Sequence, residues 1–357
     1  WAVSPPCMPG WTILDMAADT RREPIRIYAA ASHWAWGPLM LHSDDCGKTW
    51  NQNSTGLKFP EDMGLAVASI WKVQVGPMDE PGVVYAGTQP AGLFRSEDWG
   101  ETWAPVEGLN RHDYRQVWSM SGGGDSCLHS IQIDPRNADR MLVSISSGGT
   151  YESPDRGQTW RIRSHRMQPT TPAAKKFQAE IAELFPDAEL PPNVDPAATD
   201  EMHKLLIDPK DPDRLWGQAH IGVFRSDKEA TDWQDVTAGL PSFHGFPITI
   251  TQHAPDAVFV VPLAFEADNF RVCSGQFAVY RTCDQGATWD RLTDGLPGPN
   301  DYQSVYREGL DTDGLTPEGV YVGTSNGEVF ASPDTGDHWQ RLPGTLPPIV
   351  SVTAATW

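Results

Sequence analysis

Short runs of alternating apolar and polar residues, closed by Gly, Pro, Asn or Asp, recur along the whole chain. The clearest are VVYAGTQPAGLFRS (83–96), RLWGQAHIGVFRS (214–226) and GVYVGTSNGEVFAS (319–332), each reading as two strands joined by a Gly-containing turn. The matched turns IDPRNADR (133–140) and IDPKDPDR (207–214) each follow a further strand and set the register between repeats. One stretch departs from this period. AAKKFQAEIAELF (173–185) places Phe177, Ile181, Leu184 and Phe185 on one helical face, pairs Lys176 with Glu180 at i,i+4, and stops at Pro186. A short amphipathic helix is predicted there.

Every third strand runs into the same kind of turn: SDDCGKTW (43–50), SEDWGETW (96–103), SPDRGQTW (153–160), TCDQGATW (282–289) and SPDTGDHW (332–339). In the pattern Ser/Thr-x-Asp-x-Gly-x-x-Trp, the Asp is expected to accept backbone N–H bonds. The Gly takes a positive-φ position, and the Trp folds back as an apolar cover. A sixth copy, SDKEATDW (226–233), keeps Ser226 and Trp233 but has Lys228 and Ala230 in place of Asp and Gly. The pattern resembles the Asp-box (BNR) repeats of sialidase-like and related β-propeller proteins.

That resemblance implies an all-β, seven-bladed propeller occupying 1–357 as one domain, with the boxes holding the blades on the outside, away from the functional mouth. WAVSP at the start reads as an outer strand and IVSVTAATW (349–357) as an innermost one, so the termini are expected to close the last blade together. Box spacings of 53, 57, 73, 56 and 50 residues place one insertion at 163–200. It carries the predicted helix, either as a cap on a blade or as a lid over the mouth.

Composition narrows the partners. The formal net charge of −20 repels nucleic acid and anionic membrane surfaces, and no stretch is apolar enough to span a bilayer, which leaves a small molecule as the expected partner. Five cysteines at irregular spacing do not make a disulfide framework, and the absence of a visible secretory signal suggests a cytoplasmic protein.

In the implied fold, the start of each innermost strand and the loop between the second and third strands face one mouth. Counting back from the aspartates of the turns gives Leu14, Trp71, His129, His203, Phe246 and Glu308 as equivalent positions, with His33, Gln89 and His220 from the loops. Convergence of His129, His203 and His220 would suit a divalent metal, zinc by preference, with Glu308 as base or further ligand and Asp125, Asp200 and Glu201 behind the imidazoles. Cys127 is an additional soft donor. Histidines lining a wet channel are the plainer alternative.

Three functions follow as expectations. The first is a metal-dependent hydrolase acting on an ester, lactone or phosphoester. The second is a non-catalytic ligand-binding or assembly propeller. The third is a glycoside hydrolase using paired carboxylates, Asp125 and Glu308, over a floor of Trp34, Trp36, Trp71, Gln89, Tyr302 and Arg307. Sialidase chemistry fits poorly, because PIRIY (24–28) does not match the sialidase motif and nothing in the sequence makes Arg115, Arg271 and Arg307 converge.

Overall fold

The computed structural model describes residues 3–119, 124–164, 167–184, 189–227, 233–253, 255–265 and 271–356. Among these, the strands form six four-stranded antiparallel sheets, each running through its strands in chain order. The chain divides into two compact units. The first comprises the residues up to Arg163 with Ala198–Asp200, and the second Ser164–Ala197 with Glu201–Thr356.

In the first unit the sheets start at Thr12–Asp19, Ser69–Val75 and Leu128–Asp134. Those of the second start at Met202–Ile207, Gly245–Ile250 and Leu310–Thr312. Successive first strands within a unit pack against one another. A sheet covered on both sides needs apolar residues on both faces, and accordingly the second strand Val84–Gln89 is buried at five consecutive positions. The core lies between neighbouring sheets. Tyr28, Met40, Ile70, Val73 and Phe94 fill one such layer in the first unit, and Phe259, Phe277, Val279, Val322 and Phe330 fill one in the second.

The count of six sheets corrects the expected seven blades. Among the described residues the termini build no sheet together. Ser351 makes an isolated parallel bridge with Glu308, and the Val352 N–H donates to the Glu308 carbonyl at 2.7 Å, both inside the second unit. Pro5, Pro6 and Pro9 have no N–H to donate at the first end, and at the other the backbone of Ser351 and Val352 is engaged with Glu308.

The five repeated turns share one hydrogen-bond pattern, seen at 153–160. The Ser153 hydroxyl donates to Asp155 Oδ1 at 2.9 Å and accepts from the Gly157 N–H at 2.7 Å. Asp155 accepts from the Thr159 N–H at 2.8 Å and the Thr159 hydroxyl at 2.6 Å. Two successive residues take left-handed backbone, the Gly and the residue before it: Cys46 (φ 58°), Trp99 (65°), Arg156 (59°), Gln285 (61°) and Thr335 (59°). The indoles of Trp50, Trp160 and Trp339 donate to their own turn's glycine carbonyl. Those of Trp103 and Trp289 donate instead to Asn53 and Val236 of the preceding sheet. Trp103, Trp160 and Trp339 are buried, while Trp50 and Trp289 are only partly covered. In the sixth copy Ser226 pairs with Trp233 across the hairpin, and the altered positions 228 and 230 lie outside the described residues.

The predicted helix forms at Pro172–Leu184, with Lys176 and Glu180 3.6 Å apart. Its engaged face is narrower than expected. Phe177 packs edge-on against Phe265 (4.5 Å between centroids) and stacks on Phe243 (5.8 Å), whereas Ile181 and Leu184 are exposed. Phe185 lies outside the described residues.

Candidate functional site

The equivalent inner-strand positions share a backbone irregularity. Strand pairing slips between Ile13 and Asp15, between Ile70 and Lys72, between Met202 and Lys204 and between Gly245 and Ile248. It also slips where Leu128 and Ser130 face consecutive partners. Leu14, Trp71, His203, Phe246 and His129 are thus the extra residues of β-bulges, devices that re-aim a side chain. Glu308 occupies the corresponding place just before the strand Leu310–Thr312.

In the second unit this geometry gathers a carboxylate and three imidazoles. Glu201 lies two residues before the His203 bulge, and its carbonyl accepts the His220 N–H at 2.9 Å, which fixes the turn after Arg214–Ala219 above it. His203 Nε2 stands 3.2 Å from His220 Nδ1 and 3.4 Å from Glu201 Oε1, and His220 Nδ1 stands 3.5 Å from Glu201 Oε2. His203 Nδ1 donates to the Gly245 carbonyl at 2.6 Å. A carbonyl can only accept, so the proton sits on Nδ1 and the lone pair of Nε2 faces the cluster. His244 completes the group, with its centroid 4.9 Å from His220 and 5.1 Å from His203 and the three rings nearly perpendicular to one another.

Phenylalanines wall the cluster: Phe246 against His203 (4.6 Å), Phe265 against His244 (5.0 Å), and Phe177 of the inserted helix against His220 (5.4 Å). Burial opposes the Glu201 carboxylate, yet its contacts with the His203 and His220 side chains outweigh it and hold its pKa well below the ordinary range. Burial lowers His203, and burial together with the neighbouring His203 and His220 pushes His244 down to about 2. At neutral pH an ionised carboxylate therefore faces neutral imidazoles at His203 and His244. Beside the cluster, Lys204 contacts Glu308 at 3.0 Å, and the Arg307 guanidinium lies over the Phe246 ring at 5.7 Å.

Tyr302 is exposed in the second unit beneath the Arg271 guanidinium. His129 belongs to the first unit, buried, with Nδ1 3.2 Å from the Ser130 hydroxyl, and the Cys127 N–H donates to Ser146 Oγ at 2.9 Å. Trp71 Nε1 donates to Gln89 Oε1 at 3.1 Å and Gln89 Nε2 to the Asp125 carbonyl at 2.9 Å, so these three residues do meet. Trp34 and Trp36 are 94% and 77% exposed around His33. His244 is a residue that the sequence register does not single out. It stands two residues before the Phe246 bulge, as Glu201 stands two before His203, so the same register moved back by two would have found it.

No family model matches the chain. Among curated proteins it is similar to a xyloglucanase of a Paenibacillus species, 24% identical over 285 residues, which is 73% of this chain and 24% of that protein. It is also similar to xyloglucanase Xgh74A of Acetivibrio thermocellus, 28% identical over 160 residues, 39% of this chain and 18% of the relative. The chain thus spans a quarter or less of the curated relatives it matches. Among solved structures, the Niastella koreensis GH74 enzyme matches with a TM-score of 0.59 at 16% identity, covering 92% of this chain and 46% of that one. An ancestral GH74 enzyme gives 0.58 at 16% identity, covering 94% and 39%. YCF48 from Cyanidioschyzon merolae gives 0.55 at 13% identity, covering 94% and 86%. These likenesses support the β-propeller fold.

Proposed function

We propose that this chain is a carbohydrate-directed propeller of the glycoside hydrolase kind, acting on a polysaccharide such as xyloglucan. The observation that carries the reading is the 24% identity to a xyloglucanase sustained across 285 residues. The comparisons favour this alternative over hydrolysis of an ester, lactone or phosphoester. Two features are consistent with it. Trp34 and Trp36 offer flat apolar rings to solvent, the surface on which sugar rings stack. Glycoside hydrolysis uses a pair of carboxylates, and Glu308, 3.0 Å from Lys204, and Asp125 are the acids to test.

The experiment is incubation of the purified chain with xyloglucan, following reducing ends, alongside electrophoresis through gels containing the glycan. Release of oligosaccharide is expected, lost in Glu308→Gln or Asp125→Asn, and retardation should weaken roughly tenfold, about 1.4 kcal/mol, when Trp34 and Trp36 are both changed to Ala. Retardation without release in any buffer would reject the hydrolase and leave a glycan-binding propeller. Neither release nor retardation would reject the carbohydrate reading altogether.

A further inference from the structure

The geometry points to a metal site in the second unit, at which Glu201, His203 and His220 hold one divalent first-row transition ion, with His244 as the neighbour placed to supply a fourth nitrogen. Their ligand atoms all lie within 4.8 Å of one another. His203 Nε2 and His220 Nδ1 stand 3.2 Å apart, close to the edge of a tetrahedron about an ion with bonds of 2.0–2.1 Å, which is about 3.3–3.4 Å, and the two Glu201 oxygens face one imidazole each, at 3.4 and 3.5 Å. The donor set, imidazole with one carboxylate, suits ions of the zinc and iron(II) kind rather than calcium or magnesium.

Three features of the surroundings agree with a ligand role. The bond from His203 Nδ1 to the Gly245 carbonyl fixes the ring and turns the Nε2 lone pair inward, the arrangement that orients metal-bound histidine. The backbone bond between His220 and Glu201 ties two donors from different segments of the chain into one frame. Phe246, Phe265 and Phe177 surround the donors with apolar rings, which lowers the local dielectric and strengthens the attraction of a cation to the carboxylate. The donor atoms would otherwise serve as a hydrogen-bonded Glu–His–His cluster sharing protons, and the experiment separates the two.

The site does not depend on the carbohydrate reading, since it is read by binding rather than turnover. The purified chain is freed of metal with a chelator and titrated with Co(II), following the visible ligand-field absorption. Zn(II) affinity is measured by competition with a chromophoric chelator. One equivalent per chain is expected, with the intense absorption of a low-coordinate Co(II) site. Glu201→Gln and His220→Gln preserve shape and should each weaken affinity at least tenfold, while circular dichroism stays unchanged. His253→Ala, which removes an exposed histidine, should leave stoichiometry and affinity as they are. Absence of saturable binding in the parent chain, or affinity undiminished in both the Glu201 and His220 variants, would overturn the site and leave the proton-sharing cluster.

Discussion

Thr335 takes the left-handed position of its turn at φ 59°, a conformation that β-branched residues resist by roughly 1–2 kcal/mol. Its backbone is committed, because its carbonyl accepts from Arg281 at 2.8 Å and its N–H donates to Glu318, so the strain is tolerated for those contacts. Thr335→Asn keeps both bonds and relieves the strain, and should raise the urea midpoint by an amount corresponding to about 1 kcal/mol. A fall would show that the buried threonine packs better than its backbone costs. The tryptophans divide by burial. Trp160→Ala should cost roughly 3–5 kcal/mol in unfolding experiments, and Trp50→Ala, partly exposed, distinctly less. At this scale the side-chain bonds of the repeated turn were readable, since Ser, Asp, Gly and Trp each advertise their role. The second left-handed residue was not, because Cys46, Trp99, Arg156, Gln285 and Thr335 have no chemistry in common.

At the scale of elements, strand positions and the inserted helix followed from periodicity, whereas the bulges did not. A bulge is one residue that breaks alternation, and in His203 or Phe246 it looks like an ordinary strand residue until the pairing partners are known. The helix was legible in extent, but its amphipathic pattern overstated its contacts, since Phe177 engages a neighbour and Ile181 and Leu184 do not. With Ala174 the buried residue of the helix, Phe177 is its principal anchor. Phe177→Ala should therefore let residues 172–184 open locally, with amide exchange there faster by roughly tenfold and exchange in the sheets unchanged. Unaltered exchange would mean that the bond from the Thr170 hydroxyl to Asp235, 2.8 Å, and its neighbours hold the insertion without the ring.

For the whole molecule, the repeat makes the all-β architecture readable but not the number of sheets, because the two ends carry strand-like patterns and yet form no further sheet among the described residues. Most of the candidate site was readable too: His203 comes from strand register, His220 from the following loop and Glu201 as a carboxylate near the imidazoles, while the place of His244 depends on bulge geometry. Charge was readable throughout, and it leads to a prediction about acid. Asp45 and Asp284 are held at about 2 by bonds from Thr49 and Thr288 and by the Ser43 and Thr282 hydroxyls. Burial opposes the charged form of Asp134, but Arg136 and Arg140 outweigh it, and it also stands at about 2. An unfolded aspartate titrates near 3.9, so between about pH 4 and pH 2 the unfolded chain binds more protons than the folded one. The stability these groups contribute is complete above about pH 4 and lost as pH falls through 2. Opposing this, a net charge of −20 strains the compact state at neutral pH, and the strain eases on approach to the isoelectric region near 4.7. The urea midpoint at low, constant ionic strength should accordingly rise slightly from pH 8 to about pH 5 and then drop steeply towards pH 2, and added salt should raise it at pH 8 more than at pH 5. Asp134→Asn should lower the midpoint at pH 7 and flatten the acid limb. A midpoint that falls steadily from pH 8, or an acid limb as steep in the variant as in the parent, would contradict this balance between paired aspartates and net charge.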